Sequence, residues 1–464
     1  MKKKNLHAED LYTTVRRSFC KIEDHRKCLG NVKISILDAL MSGLAVFALK
    51  SPSLLSFEYN IRRDTTMGKN LRKLFSIETP ASDVQMRTIL DAISPESIRA
   101  PFRKIFAQLQ RANVLKKFRY LDEGYLIALD GTGYFSSSKV RCDDCIEKKR
   151  RSGEITYHHQ LLGASVVHPE YRQVIPLCPE AISNGDGGNK QDCELKATQR
   201  WMKGFRAEHS KLDAVILGDA LFSNASFINL LSENNLHYIL GVKPGKHKAL
   251  FEQLAVNNKH KLTERLTMEN IIGQKVKKKV EHSFNFINGL SLNTKNPEIK
   301  VNVLEYTEQT TYVNSKDNKR NLKPKVIRFT WITDMELNKD NVVRIMKAGR
   351  SRWKVENETF KTLKSETAYN LEHSYGHGKK NLCTIFGMLA MLSFLIDQSQ
   401  EIACPLFRKA LAGNRAHGVK RTLWELFKSA VEWITLDSWE ALLKAIAEII
   451  DLSVIPRPAV DDSS

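Results

Sequence analysis

The chain has 464 residues, with 72 Lys and Arg against 52 Asp and Glu and a formal charge of +20. It is long enough for two or three domains with real cores, and a basic excess of this size points to a polyanionic partner and away from a neutral small molecule. Eight cysteines without regular spacing argue against a disulfide framework and for a reducing compartment. The charge is also partitioned. Residues 1–120 carry 23 Lys and Arg against 11 Asp and Glu, residues 243–335 carry 18 against 9, and the remainder is close to neutral.

The N-terminal stretch MKKKNLHAEDLY is basic but leads into no apolar region, so no targeting segment is expected. The apolar run 34–49 contains Asp38 and is too short to span a bilayer, which makes it a buried helix with no membrane role. Ser82 and Gln85 have capping-box spacing ahead of a helix, and Pro95 opens another that is expected to run to Phe118. Residues 1–120 therefore read as a helical, basic region, either a helix-turn-helix-like DNA-binding unit or a scaffold packed on the core.

From residue 121 the pattern changes to strands: 125–135, 155–168 and 172–180, with a turn at Pro169-Glu170. A Gly-rich polar stretch and a helix follow, then strand 214–220, helix 223–234 and strand 237–243. Three antiparallel strands followed by alternating helices and strands match the order of a ribonuclease H-like α/β core, whose first part is 121–242. Residues 243–335 alternate as a basic β-rich insertion. Residues 336–380 resume the core as a helix, and 381–464 are expected to be helical with a frayed tail.

Three acids stand out. Asp130 follows four apolar residues and precedes Gly131-Thr132-Gly133, Asp219 follows the apolar run from Ala214, and Glu356 lies in a helical segment, RWKVENETFKTLK. An ionised Asp in a buried strand must be paired, metal-bound or at the sheet rim. Two strand carboxylates and one helix carboxylate supply the hard oxygen ligands of a two-metal phosphoryl-transfer site. Local turn or cap roles are the bland alternatives for the two aspartates. For Glu356 the alternative is a helix surface of ion pairs such as Lys354 with Glu358. Glu358 is the fallback ligand, about 200° around the helix from Glu356, so the two cannot share one site.

RWKVENETFKTLK resembles the Arg-Trp-x-Ile-Glu…Phe-x-x-Leu-Lys signature of bacterial insertion-sequence DDE transposases, whose third acid sits in a Tyr-Arg-Glu-Lys motif. The resemblance covers residues 125–365, and the acids fall in the family's order with separations of 89 and 137 residues. Arg352, Glu356 and Lys364 match the motif's Arg, Glu and Lys. Gly349 stands where its Tyr would fall, and Phe360 and Lys364 lie one residue further from Glu356 than in the family. The resemblance implies a DNA transposase with Asp130, Asp219 and Glu356 as catalytic metal ligands for two Mg²⁺ or Mn²⁺ ions. Arg352, Trp353 and Lys364 would then contact DNA. Its partners would be double-stranded DNA at element ends and target, handled by a homodimer at the nucleoid in the cytoplasm. A nuclease on the same core, or an inactive DNA-binding descendant, are the alternatives.

Other residues carry weaker signals. Cys142-x-x-Cys145 is either half a zinc site, which His158, His159, Cys178 or Cys193 would complete, or a pair of ordinary loop thiols. Glu194 is either an accessory acid or a helix start. His373 and His377 either touch phosphate or shape a capped loop. Trp331 and Trp353 either stack on bases or pack in a core or interface.

Overall fold

The computed structural model of the chain describes residues 6–26, 32–63, 65–121, 124–184, 190–273, 277–313, 324–416 and 423–452. The chain opens with α1 (Ala8–Phe19), α2 (Ile36–Ala48), α3 (Leu54–Arg63), α4 (Thr65–Phe75), α5 (Asp83–Asp91) and α6 (Arg99–Arg111). The first strands are β1 (Tyr125–Ser137), β2 (Ile146–Lys149), β3 (Ile155–Val167), β4 (Ile175–Pro176) and β5 (Glu180–Ile182). Next come α7 (Lys190–Glu208), β6 (Ala214–Gly218), α8 (Ala225–Glu233), β7 (His237–Gly241) and α9 (Lys248–Lys259). The strands β8 (Glu264–Ile272), β9 (Lys277–Ser291), β10 (Lys300–Val313) and β11 (Lys325–Thr333) follow. The chain then returns to helices: α10 (Val342–Arg350), α11 (Lys361–Lys364), α12 (Leu382–Ala403), α13 (Pro405–Ala416), α14 (Leu423–Trp433) and α15 (Trp439–Leu452).

Among the described residues one mixed sheet holds all eleven strands, in the order β2-β3-β1-β6-β7-β11-β10-β9-β8, with β4 and β5 also on β3. β1, β6 and β7 run parallel, β3 is antiparallel to β1, and β11 is antiparallel to β7. The parallel strands are covered on both faces, so they read as unbroken apolar runs: all of Ala214–Gly218 is buried, as is Leu126–Leu129. The β-rich segment extends the same sheet from the β7 edge. Its outermost strand, β8, is almost wholly exposed.

The expected capping box is present: Ser82 accepts from Gln85 N and Gln85 returns a bond to Ser82 N. The expected helix from Pro95 to Phe118 is instead a short 3-10 turn, α6, and a second short turn. Asn113 interrupts it in the left-handed region at φ 61°. α2 packs against α12, with Gly43 facing Leu389, and both join the single hydrophobic core that also takes in the sheet. α12 is long and apolar enough to cross a membrane, yet its apolar window is 94% buried inside the protein. That burial makes it a core helix.

Candidate active site

Each of the three acids reaches the same place by a different route. β1 and β6 pair in parallel through Ala128 and Leu217, so Asp130 and Asp219 lie two residues beyond that pair, side by side. Asp130 remains within β1, where its Oδ1 accepts from the Gly131 amide at 2.9 Å. Asp219 stands just past the end of β6 and accepts from Leu221 N at 2.8 Å. The third acid comes down onto this strand end from the segment after α10.

That segment is not the continuous α-helix its periodicity suggests. α10 ends at Arg350, a turn covers 351–352, helix resumes at 353–354, and Val355–Phe360 is a π-helical turn before α11. Single π turns are uncommon and cluster at functional sites, because the extra residue re-aims side chains. Here Phe360 lies over Gly163, where a Cβ would stand 2.5 Å from its ring. Gly163 is the partner of Asp130 across β1 and β3, so a glycine is what lets the turn sit down beside the acid. Ser165 and Thr359 bond at 3.1 Å and fix the same contact.

Arg352 is the link between the acids. It donates to Asp130 Oδ2 at 3.2 Å and to Glu356 Oε1 at 2.6 Å. Burial pushes the Asp130 carboxyl up to about 7. Arg352 opposes that rise, while the negative charges of Glu356 and Asp219 add to it. Burial also raises Glu356, but the hydrogen bond and charge of Arg352 outweigh it and the net shift is downward. Asp130 and Glu356 therefore share one guanidinium, and the charge of Asp219 is near enough to be felt by Asp130.

The other predicted residues fall as follows. Glu358 points away and is held by Arg172 at 2.9 Å. Its expected partner Lys354 is buried, with its ammonium donating to the carbonyls of His168, Pro169 and Tyr171. The expected ion-paired helix surface is thus replaced by a lysine that clamps the β3–β4 turn. Lys364 pairs with Glu372 at 2.8 Å, away from the carboxylates. Trp353 is 44% exposed and lines a cavity of about 830 Å³ with Asp219, Arg352 and Trp331. Glu194 fills the space beside Gly131, its Oε1 2.3 Å from where a Cβ would be. Because neighbouring residues of a strand face opposite ways, this is the face away from Asp130.

The cavity also takes Lys243, Arg328 and Arg350, none of which stood out in the sequence. Arg350 is anchored by Glu308 of β10 at 2.8 Å, so the β-rich segment supplies one wall. Gly349, at the position of the motif's tyrosine, has an indole in place of a side chain: a Cβ there would lie 2.8 Å from Trp331. The signal was the pair Gly349 and Trp331, which only the sheet brings together.

A second cluster, distinct from the carboxylates, joins Cys142, Cys145, His159 and His377. Of the other expected partners, His158 bonds Thr156 Oγ1 at 2.9 Å, Cys178 is buried beside Pro179, and the Cys193 side chain lies outside the described residues. His373 packs edge-on against Tyr375.

Two aspartates, one within β1 and one just past the end of the neighbouring parallel strand β6, with Glu356 brought to Asp130 through Arg352, make up the candidate site. A family profile for the transposase DDE domain matches residues 148–395, more than half of the chain. The chain belongs to the transposase DDE domain family, and its resemblance to insertion-sequence transposases agrees with that. The matched span includes Asp219 and Glu356, and Asp130 lies upstream of it. No curated protein matches the chain.

Proposed function

We propose that the protein is a DNA transposase that cleaves at the ends of its element and joins them to target DNA. The observation that carries this is the meeting of Asp130, Asp219 and Glu356 around Arg352. The sheet order β3-β1-β6-β7, with β3 alone antiparallel among them and the short β4 on β3's flank, supports a ribonuclease H-like core.

The three carboxylates would hold two Mg²⁺ or Mn²⁺ ions, which would supply the charge that favours in-line attack and departure at phosphorus. The protein's own part is positional. β1 and β6 fix the two aspartates on a rigid sheet, and the π turn brings Glu356 to them. Arg352, largely covered between two acids, holds their orientation and would offer a cation to an incoming phosphate. Trp353, exposed at the cavity, offers a stacking face, and Lys364 a further cation for the DNA backbone. The basic helices of residues 1–120 and the basic strands of 243–335 would grip double-stranded DNA around this site, in a homodimer that bridges two ends.

The test is incubation of a plasmid carrying the DNA that flanks the coding region, with Mg²⁺ or Mn²⁺. Cuts at defined ends and joined products support transposition. Cuts without joined products indicate a nuclease, and end-specific binding without cuts indicates a DNA-binding descendant.

A further inference from the structure

We infer that Cys142, Cys145, His159 and His377 form a structural zinc site that ties the loop after β1 and strand β3 to the loop between α11 and α12. The distances carry it. Cys142 Sγ and Cys145 Sγ are 3.8 Å apart, far from a disulfide bond. His159 Nε2 lies 3.3 Å from Cys142 Sγ and 3.4 Å from Cys145 Sγ. His377 Nε2 lies 3.2 Å from Cys145 Sγ and 3.1 Å from His159 Nε2. A tetrahedral zinc with Zn–S of about 2.3 Å and Zn–N of about 2.05 Å spaces its ligands about 3.8 Å (S···S), about 3.5 Å (S···N) and about 3.3 Å (N···N). Five edges of the cluster follow that pattern.

The surroundings are built for it. His377 Nδ1 is 2.9 Å from the Gly378 carbonyl. A carbonyl only accepts, so Nδ1 carries the proton and Nε2 presents a lone pair to the cluster, the usual support of a metal-ligating histidine. Gly376 and Gly378, on either side, adopt φ of 132° and 70°, and Asp91 Oδ1 sits 2.3 Å from where a Gly378 Cβ would be. Asp91 also accepts from the amides of Lys379, Lys380, Asn381 and Leu382, which pins the loop that carries His377. Cys145, His159 and His377 are buried, where a cation between them would satisfy the Sγ and Nε2 atoms that face one another.

Two thiolates and two imidazoles are borderline-soft ligands, which selects zinc over the magnesium class, and four protein ligands leave no open position for chemistry. The site is therefore a staple. It joins the loop after β1 to β3 and to the loop between α11 and α12, segments more than two hundred residues apart in the chain. Its effect on catalysis rests on the proposed function above, but its existence does not.

The full-length protein, purified without chelator, is analysed for metal. The expected result is one zinc per chain, which Cys145→Ser and His377→Ala lose while Asp130→Asn and Glu356→Gln keep it. Replacement by Co²⁺ in the wild type should give tetrahedral d–d bands with thiolate charge transfer, a readout that needs no variant to fold. The partly exposed Cys142→Ser serves as the milder variant and should weaken Co²⁺ binding. Absence of zinc with no Co²⁺ spectrum, or zinc retained in both Cys145→Ser and His377→Ala, overturns the assignment. Zinc present alongside failed DNA cleavage would leave the staple standing and sink only the proposed reaction.

Discussion

Gly349→Ala probes the packing that aims the Glu356 segment. An added Cβ would stand 2.8 Å from both Cε2 and Nε1 of Trp331. The indole is held in place, since Trp331 is buried and stacks on Phe329 with centroids 5.3 Å apart, while its backbone is paired to Leu304 and Gly241 on both sides. Overpacking of this kind costs about 1–3 kcal/mol. Trp331→Leu removes the obstacle and costs less than the about 3–5 kcal/mol of a Trp→Ala truncation. In the double variant the new methyl enters vacated space, so the pair should be less destabilised than the sum of the singles by about 1–2 kcal/mol. Urea unfolding of the four proteins, followed by far-UV circular dichroism, measures this cycle. Additivity to within about 0.5 kcal/mol would show that the two residues are not in contact and would refute the reasoning. The same packing explains why the family's tyrosine does not fit at 349 while Trp331 is present.

Further outcomes follow from the charged groups. Asp130 is raised to about 7, so the metal-free folded state loses stability as pH climbs from the unfolded carboxylate value near 4 towards 7. Asp130→Asn should therefore raise the melting temperature of chelated protein at pH 8 and not at pH 4, by at most a few kcal/mol in stability. Asp91 lies in the opposite case. Burial raises it, but four backbone amides outweigh that and hold it low, so its contribution is present above the usual carboxylate range and is lost as pH falls below it. Asp91→Ala should cost about 1–3 kcal/mol at pH 7 in chemical denaturation, with the difference from wild type shrinking towards pH 3. Lys50 and Asp397 form a buried pair at 2.7 Å, with Tyr369 also donating to Asp397. Lys50→Met alone should cost about 3–5 kcal/mol by leaving a buried carboxylate unpaired, and Lys50→Met with Asp397→Leu should recover part of it in the same assay.

The three carboxylates of the candidate site stood out in the sequence because each is marked locally. Asp130 and Asp219 each interrupt an apolar run, and a buried strand tolerates that only at a site or a rim. The side of the helix was legible too: Glu356 turns to Arg352 and Asp130 while Glu358 turns to Arg172. Helical periodicity could not reveal the π turn at 355–360, because its cause is the seat that Gly163 offers to Phe360. Nor could it show that Lys354 is buried against carbonyls of the β3–β4 turn. Within the basic segment 243–335 the strands β9, β10 and β11 were recognisable by alternation, whereas the helix α9 at Lys248–Lys259 departs from the β-rich expectation. That those strands prolong the core sheet depends on the backbone pairing of β11 to β7. The Cys and His cluster was half visible in the Cys142-x-x-Cys145 spacing. His377 lies 232 residues from Cys145, and only the fold of β1, β3 and the α11–α12 loop brings it there.

The central claim is that Asp130, Asp219 and Glu356 act as one site on DNA. Its most direct test is Mg²⁺-dependent cleavage of the flanking DNA by Glu356→Gln and Glu358→Gln, run beside Asp130→Asn and Asp219→Asn. Loss of cutting in the two aspartate variants and Glu356→Gln, with Glu358→Gln still active, is the predicted result. Cutting that survives Glu356→Gln and disappears in Glu358→Gln would contradict the account.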